Sequence, residues 1–148
     1  MKNTKYDFRT KSLFLGTFIV IILFSLQSCV RKETFLVSTV VPAARGYSTV
    51  KKDKNKNYII SIQLLDLAEV VRLQPSKKVY VAWIVTDHEV TQNIGRLNSA
   101  MSHSKKLVAS LEATSPFKPI KIFITAEDDA NVQFPNGEVV LSTSKFKK

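Results

Sequence analysis

The side chains of this sequence that could do chemistry are one thiol, two imidazoles and two short acidic clusters. Cys29 is the only cysteine, so the chain forms no internal disulfide and has no paired-cysteine metal motif. The imidazoles belong to His88 and His103, and the acidic clusters are 87–89 (Asp-His-Glu) and 127–129 (Glu-Asp-Asp). A thiol can carry a covalent modification, an imidazole can act as a base or ligate a metal, and grouped carboxylates can bind calcium.

The imidazoles and carboxylates do not predict an active site. Neighbouring residues of a strand point to opposite faces of its sheet, so the side chains of 87–89 do not converge easily, and we interpret this cluster as a polar turn. We interpret 127–129 as a solvated acidic turn. No carboxylate partner for His103, nucleophile-elbow glycine pattern or glycine-rich phosphate loop is evident. The sequence therefore predicts no catalytic residue, no metal and no cofactor, and we expect the protein not to be an enzyme.

Cys29 follows a segment with the composition of an export signal. The first 12 residues contain four basic side chains and one acidic one, and the apolar run 13–26 (LFLGTFIVIILFSL) comes next. A membrane-spanning helix needs about 20 apolar residues. This run is shorter and contains Gly16 and Thr17. A cleaved signal fits the length better than an uncleaved signal anchor, which remains the alternative.

The residues Leu26, Gln27 and Ser28, together with Cys29, resemble the lipobox of bacterial lipoproteins. That motif has a leucine three positions before the cysteine and a small residue directly before it, and Gln27 departs from the small or aliphatic residue usual at its place. The resemblance implies a signal peptide 1–28 and a diacylglyceryl thioether on Cys29. One acyl chain alone gives marginal membrane binding, and each buried methylene contributes about 0.8 kcal/mol. Two or three chains would therefore hold the mature protein firmly at a membrane.

The part of the chain after the leader is basic and long enough for one domain. Without residues 1–28 the chain has 120 residues, and its 22 basic and 12 acidic side chains fall to 18 and 11, a net charge of +7. A chain of this length can bury a hydrophobic core without disulfides. The charge favours solubility or attraction to anionic headgroups or acidic polymers. We expect no nucleic-acid partner for an exported protein.

Short alternating or β-branched segments, separated by turn residues, fill the mature chain. The predicted strands are 35–41, 58–65, 79–86, 92–97 with a bulge or bend at Gly95, 105–113, 120–125 and 138–144, and 46–50 is a candidate for one more. A short helix is the rival for 105–113. The predicted connections are a hairpin turn at 51–57 (KKDKNKN), a helical turn or irregular crossover at 66–76, a polar segment at 98–104 and a tight Asn-Gly hairpin turn at 134–137.

About seven strands with turns every ten residues or so predict an all-β fold, an antiparallel two-sheet sandwich of the immunoglobulin-like kind. Its bounds are 35–144, after a polar tether at 29–34 and before a basic tail at 145–148. The run 79–86 (VYVAWIVT) is apolar on both faces, which predicts a central strand. The core between the sheets is predicted to contain Ile60, Ile62, Val81, Trp83, Ile122, Ile124 and Leu141.

Four phrases of the mature chain are similar to the extracytoplasmic domain of anti-sigma-K-factor-type membrane proteins. They are 80–85 (YVAWIV), 94–97 (IGRL), 124–127 (ITAE) and 135–141 (PNGEVVL), within a resemblance that covers about 43–144. The resemblance implies a β-sandwich outside the membrane. Proteins of that type bind a sigma factor through a cytoplasmic helical domain, for which residues 1–12 are too short. The sigma-binding activity is therefore not implied here.

These observations favour a lipid-anchored β-sandwich of the bacterial cell envelope with a non-enzymatic binding or structural role. Its expected partners are the membrane, through lipidated Cys29, and another envelope protein. The alternative is an accessory sensor subunit of an anti-sigma-type envelope signalling system, and an envelope hydrolase is the weakest of the three. Val30 stands where many lipoproteins of the inner membrane have an aspartate, so we expect the outer membrane.

Overall fold

A computed structural model describes residues 30–101 and 107–146, which form two antiparallel sheets. The strands are β1 Val30–Thr34, β2 Arg45–Lys52, β3 Tyr58–Leu65, β4 Val79–Thr86, β5 Thr91–Arg96, β6 Asn98–Met101, β7 Leu107–Ser115, β8 Pro119–Glu127 and β9 Val139–Ser142. One sheet has the order β1-β2-β3-β7-β6 and the other the order β5-β4-β8-β9. A single 3₁₀ turn, Val70–Arg72, lies in the crossover from β3 to β4, where a helical turn was predicted.

The strand order is that of an immunoglobulin-like sandwich with one strand added. In immunoglobulin domains one sheet has the order ABED, and the other pairs strands C′, C, F and G. Strands β2, β3, β7 and β6 take the first four places here, and β5, β4, β8 and β9 take the second four, while β1 adds an outer edge to the larger sheet. The predicted fold class is therefore confirmed, with β4 as a central strand.

The hydrophobic core between the sheets follows from the period of two in the strands. Alternate residues of a strand share one face, so Ile60, Ile62 and Leu64 of β3 all point towards the other sheet and are fully buried. The facing side chains come from pairs such as Ala82–Ile124 and Ile84–Ile122. Ile60, Ile62, Ile122, Ile124 and Leu141 belong to this core, as predicted. Burying each such side chain contributes about 1.5–3 kcal/mol.

Val81 and Trp83 are buried on the opposite face of β4, so their predicted place between the sheets is wrong. Tyr80, Ala82 and Ile84 point into the core, and alternation sends Val81 and Trp83 to the outer face of the four-stranded sheet. Both are 0 % exposed. Because β4 is apolar on both faces, the sequence indicated burial on each side without indicating which residues meet the other sheet.

The predicted tether at 29–34 is wrong from Val30 onwards, because residues 30–34 form strand β1. The sequence did not predict this strand because its side chains are polar. The strand is held by main-chain pairing with β2 and lies at an edge of the sheet, where polar residues are common. The strand predicted at 35–41 is only an isolated bridge at Phe35. The chain then follows β9, where the Leu36 N–H donates to the Ser142 carbonyl at 2.8 Å and Ser38 Oγ donates to the Val140 carbonyl at 2.5 Å.

Three predictions for the second half of the chain are confirmed or corrected by the pairing of its strands. The bulge in β5 is confirmed: Ala82 pairs with Gly95 and Trp83 with Asn93, so Ile94 is the extra residue, and Gly95 has φ 120°. Segment 105–113 is a strand in its described part. Segment 98–104 was predicted as a polar connection, but Asn98–Met101 forms β6 through main-chain bonds that its polar side chains do not reveal.

No tight turn forms at 134–137, because β8 continues to Glu127 and β9 begins only at Val139. An eleven-residue loop, 128–138, connects them. Gly137 allows the loop to pass close to the backbone of β8 and does not form a tight turn. A Cβ atom there would lie 1.8 Å from the Ala126 carbonyl oxygen. The tail predicted to begin at 145 is also packed at its start, since Phe146 is buried and its N–H donates to the Ile120 carbonyl at 2.7 Å.

One end of the sandwich carries Val30 and three short turns, and we call it the Val30 end. Val30 pairs with Lys51 at the end of β2, beside the turn 53–57. Residues 116–118 connect the same ends of the two sheets, and the Asp87 N–H of the turn 87–90 donates to the Lys118 carbonyl at 2.9 Å. The opposite end, called the far end, carries the longer connections 39–44, 66–78 and 128–138. In the described ranges, none of the helical structure is long and apolar enough to cross a bilayer.

Candidate functional site

The residues predicted to carry the lipid are not among those that the structure describes. Leu26, Gln27, Ser28 and Cys29 all precede Val30, and His103 falls between the two described ranges. The lipidation site therefore remains a prediction. What the structure contributes is the position of Val30, the residue that follows Cys29 in sequence.

The cluster 87–89 lies in the turn between β4 and β5, as predicted. The Glu89 N–H donates to the Thr86 carbonyl at 2.9 Å, and Glu89 itself has φ 60°. His88 Nε2 lies 3.9 Å from Asp87 Oδ1, and both side chains are largely exposed. The described ranges contain no group of three or more His, Cys, Asp and Glu side chains placed to hold a metal.

The cluster 127–129 is not a solvated turn, because its first member is buried. Glu127 is the last residue of β8 and only 2 % exposed, on the same outer face as Thr125. Asp128 is exposed and pairs with Lys77, with Nζ 2.6 Å from Oδ2. Asp129 Oδ1 accepts the Asn131 N–H at 3.0 Å. The three carboxylates thus have three different surroundings.

Glu127 is the last acceptor in a buried relay of hydrogen bonds. Trp83 Nε1 donates to Thr125 Oγ1 at 2.8 Å, and Thr125 Oγ1 donates to Glu127 Oε1 at 2.6 Å. The Asn136 N–H donates to the same carboxylate oxygen at 3.2 Å. Phe123 stacks beside the indole, with ring centroids 6.2 Å apart and planes 11° from parallel.

The loop 128–138 is fastened over this relay. Asn93, which pairs with Trp83 across β4 and β5, donates from Nδ2 to the carbonyls of Ala130 and Val132, both at 2.9 Å. The Ala126 N–H also donates to the Glu138 carbonyl at 3.2 Å. The loop therefore makes a second small core on the outer face of the four-stranded sheet. Because the carboxylate of Glu127 is closed from water, the relay is suited to stabilising the loop instead of acting on a dissolved substrate.

A cleft of about 450 Å³ lies at the far end, and we call it the far-end cleft. It lies between the crossover 66–78, the start of β4, the junction of β5 with β6 and the start of β7. The residues that line it are Glu69, Val70, Val71, Lys78, Val79, Tyr80, Arg96, Leu97, Asn98, Ser99 and Leu107. Arg96 also borders a shallower depression of about 690 Å³ against the loop 128–138.

Two cations at the far-end cleft have no acidic partner. Across the described residues no carboxylate oxygen lies within 4 Å of Lys78 or Arg96, whereas Arg45, Arg72 and Lys77 of the same end are paired with Asp66, Glu69 and Asp128. Val70, Val79 and Leu107 provide apolar wall beside these cations. The cleft is therefore suited to a ligand or peptide that combines an acidic group with an apolar part.

Tyr80 forms the floor of the far-end cleft with its hydroxyl in the neutral form. Its Oη donates to the Ala68 carbonyl at 3.0 Å, which holds the crossover against β4. Burial raises the pKa of Tyr80 to about 12, because the phenolate would lose its hydration. The phenol therefore stays protonated at neutral pH and acts as a hydrogen-bond donor.

A second depression lies on the outer face of the five-stranded sheet, but its polar groups already have partners. It has a volume of about 330 Å³ and is bordered by Tyr47, Gln63, Leu65 and Val108, among others. Tyr47 Oη donates to Gln63 Oε1 at 2.7 Å, and Lys32 Nζ lies 3.9 Å from the centroid of the Tyr47 ring. The unpaired cations make the far-end cleft the stronger candidate.

Comparison of the chain with models of known families, with curated proteins and with solved structures finds no match. The function must therefore be argued from the site itself. Sequence reasoning missed Lys78, Arg96 and the buried Glu127. A signal was present for Glu127: extending the alternation of 120–125 by two residues puts Phe123, Thr125 and Glu127 on one face. No signal in the sequence brings Lys78 and Arg96 together, because Lys78 directly precedes β4, Arg96 ends β5, and only the pairing of these two strands makes them neighbours.

Proposed function

We propose that this protein is a non-enzymatic, lipid-anchored β-sandwich of the bacterial cell envelope that binds an envelope partner through its far-end cleft. The observation that carries the proposal is the position of Val30 and the cleft at opposite ends of the sandwich. A lipid on Cys29 would be attached one residue before β1, so the far end would face away from the bilayer. A cleft in that position is accessible to other proteins of the envelope.

The chemistry of the far-end cleft supports a binding role. Lys78 and Arg96 are unpaired cations, and the Asn98 amide supplies a neutral polar group. An acidic side chain or a carboxyl terminus of a partner, with an apolar residue beside it, would meet complementary groups at Lys78, Arg96 and the apolar wall. The Thr125 hydroxyl that donates to the Glu127 carboxylate is closed from solvent, which is why we propose binding and not catalysis.

The anchor is tested by metabolic labelling with a radioactive fatty acid in cells that express the full chain. We expect Cys29→Ala to lose the label, because the thiol is the proposed attachment atom. Gln27→Ala is the control and keeps the label, since a small residue is usual at that place of a lipobox. Fractionation of the labelled membranes tests the outer-membrane location. Equal labelling of the Cys29→Ala protein would contradict the anchor.

The cleft is tested by photocrosslinking in the same cells. A crosslinking residue at Ser99, in the cleft, should give a defined adduct, whereas one at exposed Thr114, on the outer face of β7, should not. The adduct should disappear in Lys78→Gln/Arg96→Gln and persist in Arg45→Gln/Arg72→Gln, which removes the same charge from the same end. An adduct that survives the first pair of substitutions would contradict recognition of an acidic group in the cleft.

No observation of the structure favours the alternative role of an accessory sensor in anti-sigma-type signalling. The phrases that carry that resemblance lie in β4, β5, β8 and β9 and in the loop before β9. Packing in the sandwich explains most of their residues. Crosslinking of the residue at Ser99 to a protein of an envelope signalling system would support that alternative.

A further inference from the structure

The charged side chains are distributed unevenly between the two ends of the sandwich. The Val30 end has seven lysines in its turns and strand ends, Lys51, Lys52, Lys54, Lys56, Lys118, Lys121 and Lys145, against three acids, Asp53, Asp87 and Glu89. Among the residues that the structure describes, the far end has five basic residues, Arg45, Arg72, Lys77, Lys78 and Arg96, against six acids, Asp66, Glu69, Glu127, Asp128, Asp129 and Glu138. Over the described residues the net charge is therefore +4 at the Val30 end and −1 at the far end, and Lys105 and Lys106, between β6 and β7, lie outside this count.

The lysines of the Val30 end are not neutralised by the acids beside them. Over the described residues, none of the seven has a carboxylate oxygen within 4 Å, although three basic residues of the far end do. Asp53 is occupied by its own turn, where Oδ1 accepts the Asn57 N–H at 2.8 Å. The Val30 end therefore presents a field of unpaired positive charge.

Exposed apolar side chains stand among these lysines. Phe117 lies in the connection 116–118 and is 43 % exposed, and Val90 in the turn 87–90 is 52 % exposed. Val30, also 52 % exposed, begins β1 on the same side. Lysines interleaved with exposed aromatic and aliphatic side chains are typical of surfaces that rest in the headgroup region of a bilayer.

We propose that the Val30 end is a docking surface for the anionic headgroups of the membrane that holds the lipid anchor. This inference rests on the proposed anchoring at Cys29. Because β1 begins at Val30, no flexible tether separates the lipid from the sandwich, and the lysines of the 53–57 turn lie beside the pairing of Val30 with Lys51. They are held close to the headgroups, within reach of a surface potential that decays over about 10 Å.

The docking has a physical consequence for the whole protein. A lipid alone fixes one point of the protein and leaves its orientation free. Seven lysines spread over four segments of one end resist tilting, because a tilt moves some of them away from the negative surface. The far-end cleft is thereby directed away from the membrane.

The surface is tested first without the anchor. Every strand and every core residue that the structure describes lies within residues 30–146, so the chain from Val30 to Lys148 contains the whole of the described fold. This chain should sediment with vesicles of phosphatidylcholine and phosphatidylglycerol at low salt, and neither with pure phosphatidylcholine vesicles nor at high salt. Each lysine near an anionic leaflet raises the partition coefficient about fivefold, so the double substitution Lys54→Gln/Lys118→Gln should lower it roughly 30-fold.

The control is Arg45→Gln/Arg72→Gln, which removes the same charge from the far end and should leave partitioning nearly unchanged. Equal loss in both variants would overturn the proposal, because net charge alone would then explain the binding. Binding to polyglutamate without binding to the anionic vesicles would overturn it in favour of an acidic polymer. Thermal unfolding of each variant, followed by the emission of buried Trp83, checks that the fold is intact.

The orientation is tested with brominated lipids, which quench tryptophan in the headgroup and upper acyl region. Phe117→Trp at the Val30 end should be quenched on anionic vesicles, and Phe134→Trp, on an exposed phenylalanine of the 128–138 loop, should not. Quenching of both or of Phe134→Trp alone would overturn the proposal. Because these vesicle experiments use the chain without Cys29, their result is independent of the labelling experiment, and a failure of either proposal is recognised separately.

Discussion

Thr125 connects the indole of Trp83 to the carboxylate of Glu127 and is the residue on which the outer core depends. Its hydroxyl accepts from Trp83 Nε1 at 2.8 Å and donates to Glu127 Oε1 at 2.6 Å. All three side chains are at most 2 % exposed. A buried polar group without a partner costs about 1–3 kcal/mol, so the relay stabilises this face only while all of its members are present.

Thr125→Val keeps the shape of the side chain and removes both hydrogen bonds. We expect the free energy of unfolding to fall by about 1–3 kcal/mol, because the indole N–H and the carboxylate stay buried and each loses a partner. Urea denaturation followed by Trp83 emission measures the change. Thr114→Val, on the exposed face of β7, is the control and should change the stability by less than about 0.5 kcal/mol. Equal stability of the two variants would contradict the relay.

At the scale of residues, the sequence predicted which side chains are buried better than it predicted which face of the sheet they lie on. The apolar run in β4 predicted that Trp83 is buried, which is correct, but assigned it to the space between the sheets. Its actual neighbours, Thr125 and Glu127, are polar and 42 and 44 positions further along the chain. A pattern of apolar residues cannot indicate a buried carboxylate, because the burial of Glu127 depends on hydrogen bonds from groups that only the fold brings together.

Among the elements, the loop 128–138 behaves as a cover and not as a simple connection. It is attached at its middle by Asn93, at its end by the backbone of Glu138, and by the close contact of Gly137 with Ala126. The Asn-Gly pair in it predicted a tight hairpin, since such pairs readily adopt positive φ. Here the glycine is required because the backbone of β8 is too close to admit a Cβ atom.

Asn93→Ala should loosen this cover without unfolding the sandwich. It removes two hydrogen bonds of 2.9 Å to the loop backbone, each of which contributes about 1 kcal/mol. We expect acrylamide to quench Trp83 more strongly, because the loop opens over the outer core. Asn131→Ala, an exposed asparagine of the same loop, should leave the quenching unchanged. Unaltered quenching in Asn93→Ala would show that the loop is held by other contacts.

The strand predictions succeeded where side chains alternate and failed where main-chain pairing alone makes the strand. Strands β3, β4, β7 and β8 were recognised because each buries a regular apolar face. Strands β1 and β6 were missed, since each is a polar edge strand held by its neighbour. For the same reason the segment 30–34 was predicted as a tether, and the absence of a flexible connection after Cys29 could not be foreseen.

For the molecule as a whole, the start of β1 at Val30 would determine how close the domain stays to the proposed anchor on Cys29. A Gly/Ser insertion of about 12 residues between Cys29 and Val30 spans about 20 Å, which exceeds the Debye length. In the lipid-anchored protein with Phe117→Trp, we expect the insertion to reduce quenching by brominated lipids. The reduction should be larger when Lys54→Gln/Lys118→Gln is also present, because neither proximity nor charge then holds the Val30 end down. Unchanged quenching in this last variant would contradict the docking.

The pairing of β1 with β2 also determines how the protein bears mechanical load. If Cys29 carries the proposed lipid and a partner at the far end is pulled away from the membrane, the tension enters at Val30 and runs parallel to the strands. The hydrogen bonds between Val30–Thr34 and β2 lie across that direction, so they are loaded together in shear instead of breaking one after another. The first strand therefore acts as a clamp that resists extraction of the sandwich from its attachment point.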